Sequence, residues 1–225
     1  MAEVISSEKL RLRFSKKGRA VYISHLDLMR TMQRAFLRAG FSLKYSEGFN
    51  PHPLISILLP LGVGCASECE LMDFQLAVSE DLATLPARLN AVMPEGIQAL
   101  EVCPAVRKAK ELKWLRISGV LEYDDGDADK LRDGLQAFFA RETIVIEKKT
   151  KRGMGESDIA PAIREIGFTA GERCVRLTGV ISAQEPTLNP EHLVSALRQL
   201  APELAPDFAE FTRLEVYDEK MRVFR

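Results

Sequence analysis

A single amphipathic helix near the start of the chain strongly limits its fold, because residue type defines both of its ends and both of its faces. Ser24 is a favoured N-cap residue, Asp27 completes a capping-box-like pattern, and Gly40 suits the left-handed position after a helix. The apolar face, at helical spacing, comprises Leu28, Met29, Met32, Ala35, Phe36 and Ala39. A helix with one apolar face buries it against another element, so the sequence predicts a helix packed on a sheet.

The opposite face of this helix carries three arginines one turn apart, Arg30, Arg34 and Arg38, called here the arginine ladder. Like charges at this spacing destabilise a helix by roughly a few tenths of a kcal/mol per pair. Asp27 can neutralise only the first of them. Guanidinium groups bind phosphate bidentately, so the ladder and nearby Arg19 predict a surface for RNA or another phosphate-bearing partner. The alternatives are a solvated helix face and ion pairs with neighbouring acids.

A loop at residues 45–53 adds polar side chains to this prediction. Pro51 and Pro53 push the residues before them, Asn50 and His52, toward extended backbone. His25 opens the helix, where unpaired backbone N–H groups favour an anionic ligand. The loop and helix residues predicted to bind the ligand with the arginines are Tyr22, His25, Asn50 and His52. Two alternatives stay open, a structural brace of the loop and a His/Asn active site.

The formal net charge of −1 hides a strong segregation of charge. Asp27 is the only acid between Lys9 and Lys44, a stretch that holds ten basic residues, whereas acids dominate residues 45–106. Such asymmetry concerns partners rather than fold. A second basic patch, which suits either nucleic-acid contact or solubility, is predicted at a hairpin tip and comprises Lys148, Lys149, Lys151 and Arg152.

Composition indicates an ordinary globular protein, with 46% hydrophobic and 28% charged residues. No apolar run reaches the roughly 20 residues of a membrane span, and the first residues do not resemble a signal peptide. We therefore expect a cytoplasmic protein with no membrane partner. Cys65 and Cys69 are the only close cysteine pair, and no third Cys or His lies near them in sequence. We predict no metal site and no cofactor.

The order of predicted elements indicates an α+β fold. The first half is predicted to contain, in order, strand 9–14, helix 24–40, strands 54–59 and 70–78, helix 81–93 and strand 96–103. This is the split βαβ pattern of a ferredoxin-like module, here assigned to residues 1–106, with a linker at 104–113.

The second half, residues 107–225, is predicted to repeat that order. Its predicted elements are strand 113–123, helix 129–141, strand 143–149, a short helical piece at 158–166, strand 173–182, helix 190–200 and strand 208–217. The sequence therefore predicts two ferredoxin-like modules in tandem, as a repeat of pattern without visible sequence identity.

Three motifs carry a resemblance to a known family. They are Y-I-S-H-L-D-L-M-R-x-x-x-R-A-x-x-R-A-G from Tyr22, Y-S-E-G-F-N-P-H-P-x-I-S from Tyr45, and L-P-L-G-V from Leu59. In this order the chain resembles, over its whole length, the bacterial radical SAM-linked proteins, whose function is unknown. One departure is Glu47, where that family usually has glutamine, and it places an acid in the loop.

The resemblance implies a partner rather than an activity. Members of that family stand alone, or are fused to or encoded beside a radical SAM enzyme, so the implied partner is that enzyme. This chain lacks the three-cysteine cluster of such enzymes, and we assign no catalytic residue. We expect a non-catalytic accessory protein that binds RNA or a nucleotide-bearing substrate and presents it to the radical SAM enzyme. The alternatives are an enzyme with a His/Asn site acting on a nucleotide or cofactor, and a module that only docks onto the radical SAM enzyme.

Overall fold

The structure, a computed structural model, describes residues 9–150 and 153–225 and has a mixed α+β fold. Within these residues there are ten strands and four α-helices. The chain divides into two compact units. The first extends to Glu111 and includes Phe224 and Arg225, and the second is Leu112–Val223. No helix in the described part of the chain combines the length and apolarity needed to cross a membrane.

The first unit contains a four-stranded antiparallel sheet with the order β4-β1-β3-β2. Its strands are β1 (Leu10–Lys16), β2 (Ile55–Leu58), β3 (Ala66–Phe74) and β4 (Ile97–Pro104). Helix α1 (His25–Arg38) follows β1, and helix α2 (Leu85–Asn90) follows β3.

Helix α1 has the ends and the buried face that its sequence predicts. Ser24 is the N-cap and accepts a hydrogen bond from the Asp27 N–H, and Gly40 follows the C-cap with a φ of +78°. On the buried face, Phe36 lies 4.9 Å from Phe74 and 6.1 Å from Phe41, measured between ring centroids. Each fully buried side chain of this size contributes roughly 1.5–3 kcal/mol, so packing on the sheet, rather than helix propensity, stabilises α1.

The second unit contains another four-stranded antiparallel sheet, with the order β10-β5-β9-β8. Its elements are β5 (Leu112–Glu122), α3 (Ala128–Phe139), β6 (Val145–Thr150), β7 (Gly153–Asp158), β8 (Ile163–Ala170), β9 (Cys174–Ser182), α4 (Glu191–Leu200) and β10 (Phe208–Asp218). Strands β6 and β7 form a separate two-stranded ladder between α3 and β8. Phe168 of β8 stacks on Phe139 of α3 with ring centroids 5.7 Å apart, so α3 covers one face of this sheet.

Two predictions for the second half are wrong. The helical piece expected at 158–166 is a single 3-10 turn, Ala160–Ala162, followed by strand β8. Pro161 opens the turn, and the residues that follow, 163–170, pair along β9 instead of continuing as a helix. Strand β7 was not predicted, because Gly153 and Gly155 remove the alternating pattern that marks a strand.

Candidate functional site

The first turn of α1 is a compact hydrogen-bonded group. The Ser24 hydroxyl donates to the Asp27 carboxylate at 2.7 Å and accepts from the Asp27 N–H at 3.2 Å. Arg30 donates to the same carboxylate at 3.1 Å. The bond from Ser24 and then the bond from Arg30 hold the pKa of Asp27 below its usual value. The first arginine of the ladder is therefore internally neutralised, as its spacing predicts.

The other two arginines of the ladder have no such partner. Arg34 and Arg38 are exposed, and no carboxylate among the described residues forms an ion pair with either side chain. Leu26 and Leu37 on the same side of α1 are 66% and 76% exposed. The outer face of α1 thus presents two unpaired guanidinium groups beside exposed leucines, a surface that a ligand or partner can neutralise and cover.

Three more of the residues predicted for the site lie at the N-terminal end of α1. Arg19 and Tyr22 belong to a 3-10 turn, Gly18–Tyr22, that precedes the helix, and both are exposed. His25, the first residue of α1, is also exposed. Within the described chain, no hydrogen bond joins His25 to Tyr22, Asn50 or His52.

The loop that carries Asn50 and His52 is braced from inside. The Ser46 N–H donates to the His52 carbonyl at 2.9 Å, and the His52 N–H donates to the Ser46 hydroxyl at 3.1 Å. The same hydroxyl lies 2.9 Å from His52 Nδ1. Beyond this brace, Asn50 is exposed and Phe49 is fully exposed. The brace predicted as an alternative is present for His52, and it leaves ring atom Nε2 available to a ligand.

A small pocket lies beside this loop. It measures about 210 Å³ and is lined by His52, Ser56, Asp73 and Lys9, together with the mainly apolar residues 53–55 and 74–75. Polar groups in an apolar concave site are the usual features of a small-ligand site, although this volume is below the roughly 300 Å³ of most. The pocket accommodates part of a ligand rather than a whole nucleotide.

Basic residues in and beside β1 form ion pairs, in contrast to Arg34 and Arg38 of α1. Arg11 binds the buried Asp73 through Nε at 2.7 Å and Nη2 at 3.1 Å, and Lys9 contacts the same carboxylate at 2.8 Å. Lys17 pairs with Glu68 at 3.0 Å, as the ion-pair alternative for the basic stretch predicts. Unlike Arg34 and Arg38, these basic side chains are therefore already paired with carboxylates.

One residue that sequence reasoning missed positions the arginine ladder. Arg88 of α2 donates to the Ala39 carbonyl at 2.8 Å and to Glu80 at 2.9 Å, and its guanidinium lies 3.9 Å from the centroid of the Phe41 ring. It thereby holds the C-terminal end of α1. In the sequence, Arg88 differs from its surroundings only as a single basic residue in an acidic segment.

The second predicted basic patch is described in part. Lys148 is half-buried in β6, whereas Lys151 and Arg152 lie outside the described residues, as does the side chain of Lys149. His192 lies near Lys148, and burial, followed by the charge of Lys148, lowers the pKa of His192. Among the described residues, no group of three His, Cys, Asp or Glu side chains is placed to hold a metal ion.

Comparison with known proteins identifies a matching family. The family model described as "Uncharacterized protein conserved in bacteria (DUF2344)" matches residues 9–190. No curated protein matches significantly.

Two solved structures are similar at low identity. One chain of a Cbf5-Nop10-Gar1 complex is 11% identical with a TM-score of 0.49; the match covers 93% of this chain and 50% of that one, so this chain spans about half its length. An unknown protein from Galdieria sulphuraria is 12% identical with a TM-score of 0.25, and the match covers 92% and 99% of the two chains. Both scores lie below 0.5, so neither likeness supports a conclusion about fold or function.

Proposed function

Since the chain belongs to the DUF2344 family of uncharacterized bacterial proteins, we propose that it is a non-catalytic accessory protein that binds RNA, or another nucleotide-bearing substrate, on the outer face of α1. The observation that supports this proposal is the exposure of Arg34 and Arg38, one turn apart and without a carboxylate partner among the described residues. Like charges at this spacing repel each other, and two neighbouring phosphates relieve that repulsion. Guanidinium groups also match the geometry of phosphate oxygens.

We interpret the two units as ferredoxin-like modules in tandem. When the four strands of each sheet are numbered 1 to 4 along the chain, leaving out β6 and β7, both sheets have the strand order 4-1-3-2. In both units a helix follows the first strand and another follows the third. This arrangement supports the split βαβ interpretation, with β6 and β7 as an insertion in the second module. A ferredoxin-like module covers one face of its sheet with helices, and the proposed binding surface is the solvent side of one of those helices.

We further propose that the bound substrate is presented to a radical SAM enzyme in the cytoplasm. This step depends on the resemblance carried by the motifs that begin at Tyr22, Tyr45 and Leu59. The chain would supply substrate binding, and the enzyme would supply the chemistry. Presentation requires a positioned surface, and the contact of Arg88 with the end of α1 provides one.

The test is salt-dependent binding of a fluorescently labelled RNA hairpin, measured by anisotropy. Each neutralised phosphate contributes roughly 0.7–0.9 to the slope of log K against log salt. The double variant Arg34→Ala/Arg38→Ala should therefore bind more weakly and lower the slope by about 1.4–1.8. Arg198→Ala is the matched control, because Arg198 is an exposed arginine in the last turn of α4. An unchanged slope in the double variant, or no salt-sensitive binding by the wild type, contradicts the proposal.

The same surface tests the docking alternative. If α1 only contacts an acidic surface of the radical SAM enzyme, Arg34→Glu abolishes copurification and leaves RNA binding unaltered. If the proposal holds, Arg34→Glu weakens RNA binding itself.

The pocket beside His52 supports a second candidate, an enzyme that acts on a nucleotide or cofactor. In that case His52 Nε2 would act on the ligand while Ser46 holds Nδ1. Replacement of His52 by alanine then abolishes the activity of the protein combined with its enzyme partner. Unchanged activity excludes catalysis at His52.

A further inference from the structure

A larger pocket lies on the sheet of the second unit, away from α1 and the His52 loop. It measures about 400 Å³, within the usual range for small-ligand sites, and its lining includes Arg116, Glu165, Gly167, Thr178, Val180 and Leu214. Phe168 points to α3, and side chains alternate along a strand, so Gly167 lies on the opposite face of β8. The pocket therefore opens on the sheet face that α3 does not cover.

The space in this pocket depends on a glycine within a strand. A Cβ atom at Gly167 would meet only one atom within 4 Å, Thr178 Oγ1 at 3.9 Å. Almost any other residue at this position would project a side chain into the cavity. A glycine inside a strand often marks a place where a ligand approaches the backbone.

Two shifts in strand register lie beside the pocket. The pairing of β8 with β9 shifts between Ile163 and Glu165, and the pairing of β10 with β5 shifts between Arg213 and Glu215. The second shift includes Leu214, which lines the pocket. Bulges of this kind redirect side chains and occur frequently beside binding sites.

Opposite charges stand on the two sides of the pocket. Arg116 and Glu165 both pair with Val180 across the sheet, one from each neighbouring strand. Their Cα atoms are therefore separated by about two strand spacings, or roughly 10 Å. Both residues are exposed, and neither forms a hydrogen bond or ion pair within the described part of the chain. A cation and a carboxylate held apart over an apolar floor match a ligand that carries both charges.

We propose that this pocket binds a small zwitterion, an α-amino acid with an apolar side chain. The Arg116 guanidinium donates to the ligand carboxylate, and the Glu165 carboxylate accepts from its ammonium group. Leu214 contacts the apolar side chain above the buried Val180, and the space above Gly167 accommodates it. This site lies wholly in the second unit, so it does not depend on RNA binding by α1.

The experiment is isothermal titration of the full chain with L-leucine, L-methionine, L-phenylalanine and L-tryptophan. The amino acid that binds most tightly is then compared with the acid that lacks its amino group and the amine that lacks its carboxylate. Each of these analogues lacks one charged contact, so its Kd should be at least about ten-fold higher. A ten-fold change in Kd corresponds to about 1.4 kcal/mol of binding free energy. Arg116→Ala and Glu165→Ala should each lower the affinity for the amino acid by a similar factor.

Variants at Gly167 test the location. Gly167→Leu fills the cavity and should abolish binding, whereas Thr169→Leu, on the same face of β8 and outside the pocket, should leave it unchanged. Gly167→Ala, with its single ordinary contact, gives a measurable weakening if the leucine variant fails to fold. The inference is overturned if none of the four amino acids gives saturable heat up to about 10 mM, if single-charge analogues bind as tightly, or if Gly167→Leu binds like the wild type. The α1 variant Arg34→Ala/Arg38→Ala should bind the amino acid normally.

Discussion

Replacement of Arg11 by methionine would leave a buried carboxylate without its main partner. The side chains of Arg11 and Asp73 are 1% and 2% exposed, and two hydrogen bonds of 2.7 and 3.1 Å join them. The Arg11 guanidinium also lies 4.7 Å from the centroid of the Phe224 ring and donates to the Arg107 carbonyl at 2.9 Å. Arg11→Met keeps much of the apolar volume and removes only the charge and its hydrogen bonds.

The expected cost follows from what remains around Asp73. Removing one partner of a buried ion pair typically destabilises a protein by about 3–5 kcal/mol, because the other charge stays buried. Lys9 contacts the same carboxylate at 2.8 Å but is 54% exposed, so it compensates in part. Loss of the contact with Phe224 adds about 0.5–2 kcal/mol. We therefore expect Arg11→Met to lower the free energy of unfolding by about 3–5 kcal/mol.

The assay is urea unfolding of the first unit. The only tryptophan, Trp114, lies in the second unit, so its fluorescence does not report on β1. Hydrogen exchange of peptides from β1 and β3 reports on the first unit, with peptides from β9 of the second unit for comparison. The double variant Arg11→Met/Asp73→Leu removes both charges and should be more stable than Arg11→Met alone. If the effects of the two single changes simply add, or if Arg11→Met costs less than about 1 kcal/mol, the pair does not stabilise the fold as described.

Three further changes have defined outcomes. Ser24→Ala should cost about 1 kcal/mol in urea unfolding through loss of the N-cap, whereas Ser42→Ala, at an exposed position, should cost little. Gly96→Ala should cost more than about 1 kcal/mol, because Gly96 has a φ of +86° and its Cβ would collide with the Lys17 carbonyl; Gly62→Ala, in open space, is the control. Burial raises the pKa of Tyr123 to about 12, from 10 in the unfolded chain, so its contribution to stability is complete below pH 10 and is lost as the pH rises toward 12. Thermal unfolding between pH 9 and pH 12 should show this loss, and Tyr123→Phe should remove that part of the pH dependence.

The parts of the fold that the sequence predicts are those with local causes. The ends of α1 follow from Ser24, Asp27 and Gly40, each of which acts within one turn of the helix. Strand β8 was missed because its stability comes from pairing with β9 rather than from its own composition. Only Ile166, Phe168 and Ala170 alternate in β8, which is a short signal, and the hydrogen bonds of β8 with β9 are not visible in sequence.

In the candidate site, too, the sequence predicts the features with local causes and misses those that depend on strand pairing. Exposure of Arg34 and Arg38 follows from helical periodicity, so the sequence predicts it. The pairing of Arg11 with Asp73 depends on the register of two strands 62 residues apart, which periodicity does not specify. The pocket above Gly167 likewise needs four strands to be aligned before its charges face each other.

The ladder of β6 and β7 has a practical consequence for experiments on this protein. It pairs only with itself among the described strands, two reciprocal hydrogen bonds between Glu147 and Gln199 join it to α4, and its residue Ile146 is fully buried. The junction between β6 and β7 is thus a natural point for adding chain length. A peptide tag inserted there would provide a handle for capture or labelling that keeps the buried Ile146 and changes neither α1 nor any strand of the two larger sheets.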